Sequence, residues 1–249
     1  SQFLATLVLA PVILLSGAPT DPPGWLPWGI AAGITGVLAL GCFYWALAIG
    51  TMGVVAPVAA MGVVVPVLVG LVRGERPGAV VLAGIAVAVV GVVLAGAPEV
   101  SAVRHDTARG GWQALGLAGM AAVGFGLVLV FVAQGASASV GMTLLAQRCT
   151  GVTVALVVLA RARHLGGLRR RDVGMLALIG MFDLGANATY AAASRLGLLA
   201  VVAVLASLYP VVTALLARVV HDERLAHSQV LGVGLALSGV ALIAAGGAG

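Results

Sequence analysis

Asp183 falls about midway along an apolar stretch from 172 to 193. A carboxylate inside a hydrocarbon layer is costly unless it is paired, protonated or turned toward water. Asn187, Tyr190 and Ser194 follow at spacings of four, three and four, which on a helix gathers the four polar groups on one face. Two chemistries fit such a stripe. In the first, Asp183 binds a proton or the cationic group of a solute, and Asn187 and Tyr190 supply the hydrogen bonds that orient it. In the second, the stripe only ties helices together, at about 0.6 kcal/mol per hydrogen bond. The corresponding positions of an earlier, related stretch, Ala39 and Phe43, are apolar, which favours the second.

Arg148 is the other charge set within apolar sequence. Counted from the same membrane face, Arg148 and Asp183 each lie about ten residues in, or ~15 Å at 1.5 Å per residue, so an ion pair is geometrically open. The alternative is that the span holding Arg148 starts later and the side chain snorkels to the headgroups. Snorkelling is the favoured expectation. Tyr44, Trp45, Thr35 and Cys42, with Ser207 and Tyr209, have the makeup of a small-ligand pocket: aromatic walls and a few hydroxyls. For any one of them, ordinary packing is the competing reading. Pro66 and Pro210 fall deep in apolar runs and are hinge candidates, because proline frees a backbone carbonyl that a membrane protein tolerates beside a cavity or at a bend. Pro57 fits the first turn of a helix.

Motifs for catalysis are missing from the sequence. There is no His-Glu-x-x-His, no Gly-x-Ser-x-Gly and no Gly-x-x-x-x-Gly-Lys. His105, His164, His221 and His227 fall in loops or at helix ends, so the chain is expected to be no enzyme and to need no metal or other cofactor. With no nucleotide loop, any work it does draws on a gradient or on solute flow. Cys42 and Cys149 lie far apart within apolar segments, where no disulfide framework is expected.

The elements that must position these residues follow from composition. Of 249 residues 61% are hydrophobic and 8% charged, against roughly 25% charged in soluble domains. A lipid bilayer is therefore the expected solvent and partner. The thirteen basic residues are all Arg and sit mostly near helix ends without interleaved aromatics, so orientation in a membrane explains them better than nucleic-acid binding. Apolar runs predict spans near 2–16, 26–49, 53–72, 77–96, 111–133, 138–160, 172–193, 197–218 and 226–246. Helices are required, because the runs lack the alternation of spanning strands.

The chain also repeats itself. Glu75 precedes Gly84 and Gly91 at the spacing with which Glu223 precedes Gly232 and Gly239. Upstream, Met52 to Ala56 with Pro66 aligns with Leu196 to Ala200 with Pro210 if about one helical turn is inserted before Glu223. One copy spans 1–96 and the other 111–249, joined by a linker at 97–110. The glycines, with Gly29 and Gly33, are read as close-packing positions. Glu75 and Glu223 are read as caps of the helices that follow them. Five helices per copy would insert the copies in opposite directions; the first copy shows four, so a further opening helix is expected.

The paired Glu-then-two-Gly signatures and the run Ser207-Leu208-Tyr209-Pro210-Val211-Val212-Thr213 before Glu223-Arg224-Leu225 resemble the EamA-type family of the drug/metabolite transporter superfamily. The resemblance covers nearly the whole chain. It implies an all-α polytopic membrane protein of two inverted helical repeats, ten helices against the nine legible here. It also implies a central cavity and alternating-access movement of a small organic solute, amino-acid or drug-like, outward across a bacterial plasma membrane. Protons are the expected coupling ion, through Asp183. The competing reading is a non-transporting scaffold or partner subunit. On orientation two arguments oppose: the arginines between Arg161 and Arg171 favour a cytoplasmic loop, and the family's cytoplasmic start, with one helix absent, puts that loop outside.

Overall fold

The computed structural model describes residues 6, 7, 9–11, 13, 24–50, 52–95, 111–162, 173–209, 211, 212 and 227–247. Every regular element among them is a helix. In chain order these are α1 (Leu26–Ile49), α2 (Met52–Ala60), a 3-10 turn (Met61–Val63), α3 (Val64–Val72), α4 (Ala79–Ala95), α5 (Gly111–Ala138), α6 (Val140–Ala162), α7 (Val173–Ala193), α8 (Leu199–Ala206) and α9 (His227–Gly247). Six stretches among the described residues are long and apolar enough to cross a membrane: α1, the run Val54–Val72, α5, α6, α7 and α9. With 17 residues, α4 reaches about 26 Å, slightly less than a hydrocarbon layer of ~30 Å. Nine spans are expected from the sequence; those at 2–16 and 197–218 extend beyond the described residues, as do the 97–110 linker, Pro210 and Glu223. Large apolar side chains such as Leu68, Val90 and Val158 are more than half exposed, the surface that lipid covers.

One boundary moves. The expected break after residue 133 falls instead at Ser139, and α5 runs on to Ala138. Ser139 starts α6 as its N-cap: its hydroxyl accepts the Met142 amide at 3.4 Å, and its carbonyl accepts the Thr143 amide and hydroxyl. Capping chemistry at Ser139 marks where one helix stops and the next begins.

The chain packs into two compact units, 1–37 with 128–196, and 38–127 with 197–249. Each draws helices from both sequence copies. In the first unit α1 meets α6 through glycine: a Cβ on Gly29 would lie 2.6 Å from the Ala146 methyl, and one on Gly33 2.6 Å from the Gln147 carbonyl. Small residues one turn apart let two backbones approach this closely. The Trp28 and Phe131 rings pack 6.0 Å apart, and the Tyr190 hydroxyl donates to the Leu129 carbonyl at 3.1 Å, tying α7 to α5.

In the second unit α4 and α9 interlock. Gly84 and Gly91 stand 148 residues before Gly232 and Gly239, and the contacts obey the same offset. A Cβ on Gly91 would strike the Ala236 backbone, and one on Gly239 the backbone of Ala88. Gly84 lies against Ile243, and Gly232 against Ala95. Exchanging the two copies therefore maps this contact set onto itself, as a two-fold axis does. Early residues of α4 meet late residues of α9, so the helices are antiparallel and the axis is perpendicular to them. For membrane-crossing helices that axis lies in the membrane plane, the relation of inverted repeats.

Glu75 is also structural, with a different partner from the one expected. Its chain direction is set by a Schellman turn: Gly74 at φ +91° ends α3, its amide donates to the Leu71 carbonyl, and the Glu75 amide donates to the Gly70 carbonyl. The carboxylate lies against Gly70, where a side chain would collide with it. It then accepts the Leu199 amide at 2.6 Å and the Ala200 amide at 3.1 Å. Glu75 caps α8, from the other sequence copy, not the α4 helix that follows it. Negative charge at a helix N-terminus satisfies free amides and complements the dipole.

Candidate functional site: a buried ion pair between two helices

Helix α7 is apolar apart from the polar stripe and Thr189, and Asp183 is the middle residue of its 21. Arg148 is the ninth residue of α6. The two helices pack against each other and bring the charges into contact: Arg148 Nη1 lies 2.5 Å from Asp183 Oδ2. The expectation that Arg148 snorkels is thereby overturned. The span does not start later; α6 begins at Val140, which leaves the guanidinium two turns inside the helix and on the Asp183 carboxylate. Pairing removes the net charge that would make either group intolerable in hydrocarbon.

The burial of the pair is uneven, with the Arg148 side chain 2% exposed and that of Asp183 47% exposed. The pair thus runs from the surface of its unit inward. Asn187 completes the acid's surroundings. Its Nδ2 donates to the Asp183 carbonyl at 2.8 Å and reaches Asp183 Oδ1 at 3.3 Å. Arg148 itself is not saturated: its Nε and Nη2 are buried and have no hydrogen-bond acceptor among the described residues. Gln147 Oε1, one residue earlier, is likewise buried without a donor among the described residues. Gln147 was not singled out from sequence, although a second polar residue beside Arg148 in an apolar span was the available signal.

The remaining stripe residues are used within the fold. Tyr190 is buried and gives its hydroxyl to the Leu129 carbonyl, and Ser194 bonds back to the Ala191 carbonyl. The apolar counterparts in the other copy are packing residues. Ala39 is buried against Gly124, and the Phe43 ring stands edge-on to Phe125 at 5.9 Å. One copy thus packs where the other carries a charge.

Tyr44, Trp45 and Tyr209 belong to the compact unit that does not contain Asp183, and all are more than half exposed. Tyr44 keeps an aromatic neighbour, Phe43, at 6.0 Å. Pro66 is fully buried near the start of α3, and the 3-10 turn at Met61–Val63 interrupts the span just before it. Proline lacks the amide that would bond four residues back, at Gly62, and a short 3-10 stretch in mid-span is a recurrent feature of hinges. The Gly62 carbonyl is closely approached by Gly126 of α5. No group of three or more His, Cys, Asp or Glu able to hold a metal is assembled among the described residues.

No curated protein shows a significant match to the chain. A solved structure, described only as a crystal structure of a protein, superposes with a TM-score of 0.65 at 19% identity, covering 97% of this chain and 94% of that one. At that identity the likeness speaks for the fold. The model of the EamA-like transporter family matches residues 112–245, more than half of the chain and all of α6, α7, α8 and the ion pair. The chain belongs to the EamA-like transporter family, within the drug/metabolite transporter superfamily.

Proposed function

We propose that the protein is a secondary-active exporter of a small organic solute in a bacterial plasma membrane, working by alternating access between its two inverted repeats. The observation that carries the reading is the Arg148–Asp183 pair at the middle of spanning helices. A charge pair there contributes little that an apolar pair of the same volume would not, so its presence favours a role in handling solute or protons.

In this mechanism Asp183 is the coupling group. Its half-exposed carboxylate takes a proton in one state and returns to Arg148 in the other, while the break before Pro66, and Pro210 in the other copy, absorb the bending between states. Asn187 keeps the acid oriented through both of its contacts. Tyr44, Trp45 and Tyr209 are the proposed aromatic walls of the solute path.

Metabolite profiling tests this directly. Cells overproducing the protein are expected to lose one class of small solute to the medium, and cells overproducing the Asp183→Asn variant to retain it. That solute, carried in proteoliposomes, is then expected to move faster under an imposed pH gradient. Identical profiles for the two proteins, or transport indifferent to the gradient, would refute the mechanism.

A further inference from the structure

Among the described residues, Arg148 uses one of its three nitrogens. Nη1 holds Asp183, and Nε and Nη2 lie together along one edge of the planar guanidinium, buried and without an acceptor among the described residues. That edge presents two parallel N–H groups, the geometry that matches the two oxygens of a carboxylate. Cationic donors buried without acceptors are uncommon in folded proteins and call for an occupant. The choice of Arg over Lys carries no weight here, because every basic residue in the chain is Arg; the argument stands on the unspent edge and its burial.

We infer that Arg148 is the receptor for an acid group of the transported solute, gripped in bidentate fashion by the Nε and Nη2 edge, and that the solute is a small organic carboxylate. Asp183 is the resident carboxylate that holds the guanidinium in place between cargoes. Its side chain is 47% exposed and that of Arg148 2%, so the acid lies at the surface of the unit and the spare nitrogens lie within it. The inference rests on the transport reading of the same pair and reverses what Asp183 alone suggests. A lone acid favours a cationic cargo; an acid already bonded to a buried arginine with spare donors favours an anionic one.

Four probes on one carbon skeleton separate the possibilities: isovalerate carries the acid alone, isopentylamine the amine alone, leucine both and isovaleramide neither. Thermal unfolding of the purified protein in detergent is followed with each. Isovalerate and leucine are expected to raise the midpoint by about 3 °C or more near saturation, and the other two to leave it unchanged. In the double variant Arg148→Met with Asp183→Asn, which removes both charges together, the isovalerate shift is expected to vanish. A shift with isopentylamine and none with isovalerate, an isovalerate shift that survives the double variant, or no response to either acid would each overturn the inference. The probe series on the unmodified protein decides the matter even if the variant fails to fold. Binding of isovalerate without any solute released from overproducing cells would remove the transport reading and leave the acid site. Export of an amine by a protein indifferent to isovalerate would do the reverse.

Discussion

Removing Asp183 is expected to cost more stability than removing Arg148, and removing both is expected to cost least. The asymmetry comes from burial, 2% exposure for Arg148 against 47% for Asp183. Two unit charges about 4 Å apart attract by ~4 kcal/mol at an effective dielectric near 20. Asp183→Asn leaves the guanidinium buried and unpaired, a loss of about 3–5 kcal/mol for a fully buried pair. Half-exposure of the acid brings this to roughly 2–3 kcal/mol, since the attraction it loses was already screened. Arg148→Met leaves a carboxylate that still reaches its surroundings, at a cost of about 1 kcal/mol. The double variant replaces the pair by neutral groups and is expected within about 1 kcal/mol of the parent. Unfolding in mixed micelles of rising SDS fraction, read by tryptophan fluorescence, supplies the four free energies. The cycle should return a coupling of roughly 2–4 kcal/mol. Additive single effects, or a larger loss from Arg148→Met than from Asp183→Asn, would refute the account of the pair.

Three further outcomes follow from the packing. Glu75→Gln is expected to destabilise by about 1–2 kcal/mol, because an amide caps Leu199 and Ala200 without the charge that complements the helix dipole; amide exchange at the start of α8 should rise selectively. Gly91→Val and Gly239→Val, equivalent across the two-fold, should each cost several kcal/mol and by similar amounts, since each forces apart the same α4–α9 contact, whereas Gly116→Val, whose Cβ meets nothing within 4 Å, should be near neutral on thermal unfolding. Tyr190→Phe removes one hydrogen bond to Leu129 and is expected to cost about 0.6 kcal/mol with transport unaltered; abolished transport with unchanged stability would return Tyr190 to the solute path.

What composition and spacing determine here is the solvent and the plan. With 8% charged residues no water-facing surface can be assembled, so helices in a bilayer follow from sequence alone. The Glu75, Gly84, Gly91 and Glu223, Gly232, Gly239 spacings announce duplication, and their four glycines are residues that meet across the two-fold. Helical periodicity also groups Asp183 with Asn187, since neighbours four apart on one helix share a face whatever surrounds it.

Only the tertiary structure decides which helix covers that face. Periodicity fixes a residue's direction relative to its own axis and leaves free the rotation, depth and partner of the helix, and in hydrocarbon every apolar neighbour is nearly equivalent. For that reason Arg148, expected at the headgroups, is found on Asp183. Tyr190, expected to orient a solute, is bonded to Leu129. Glu75, expected to cap the next helix, reaches 124 residues along the chain to α8. In each case a strong local rule was correct about the group's need for a partner, and the choice of partner was made by the packing of elements that the sequence keeps far apart.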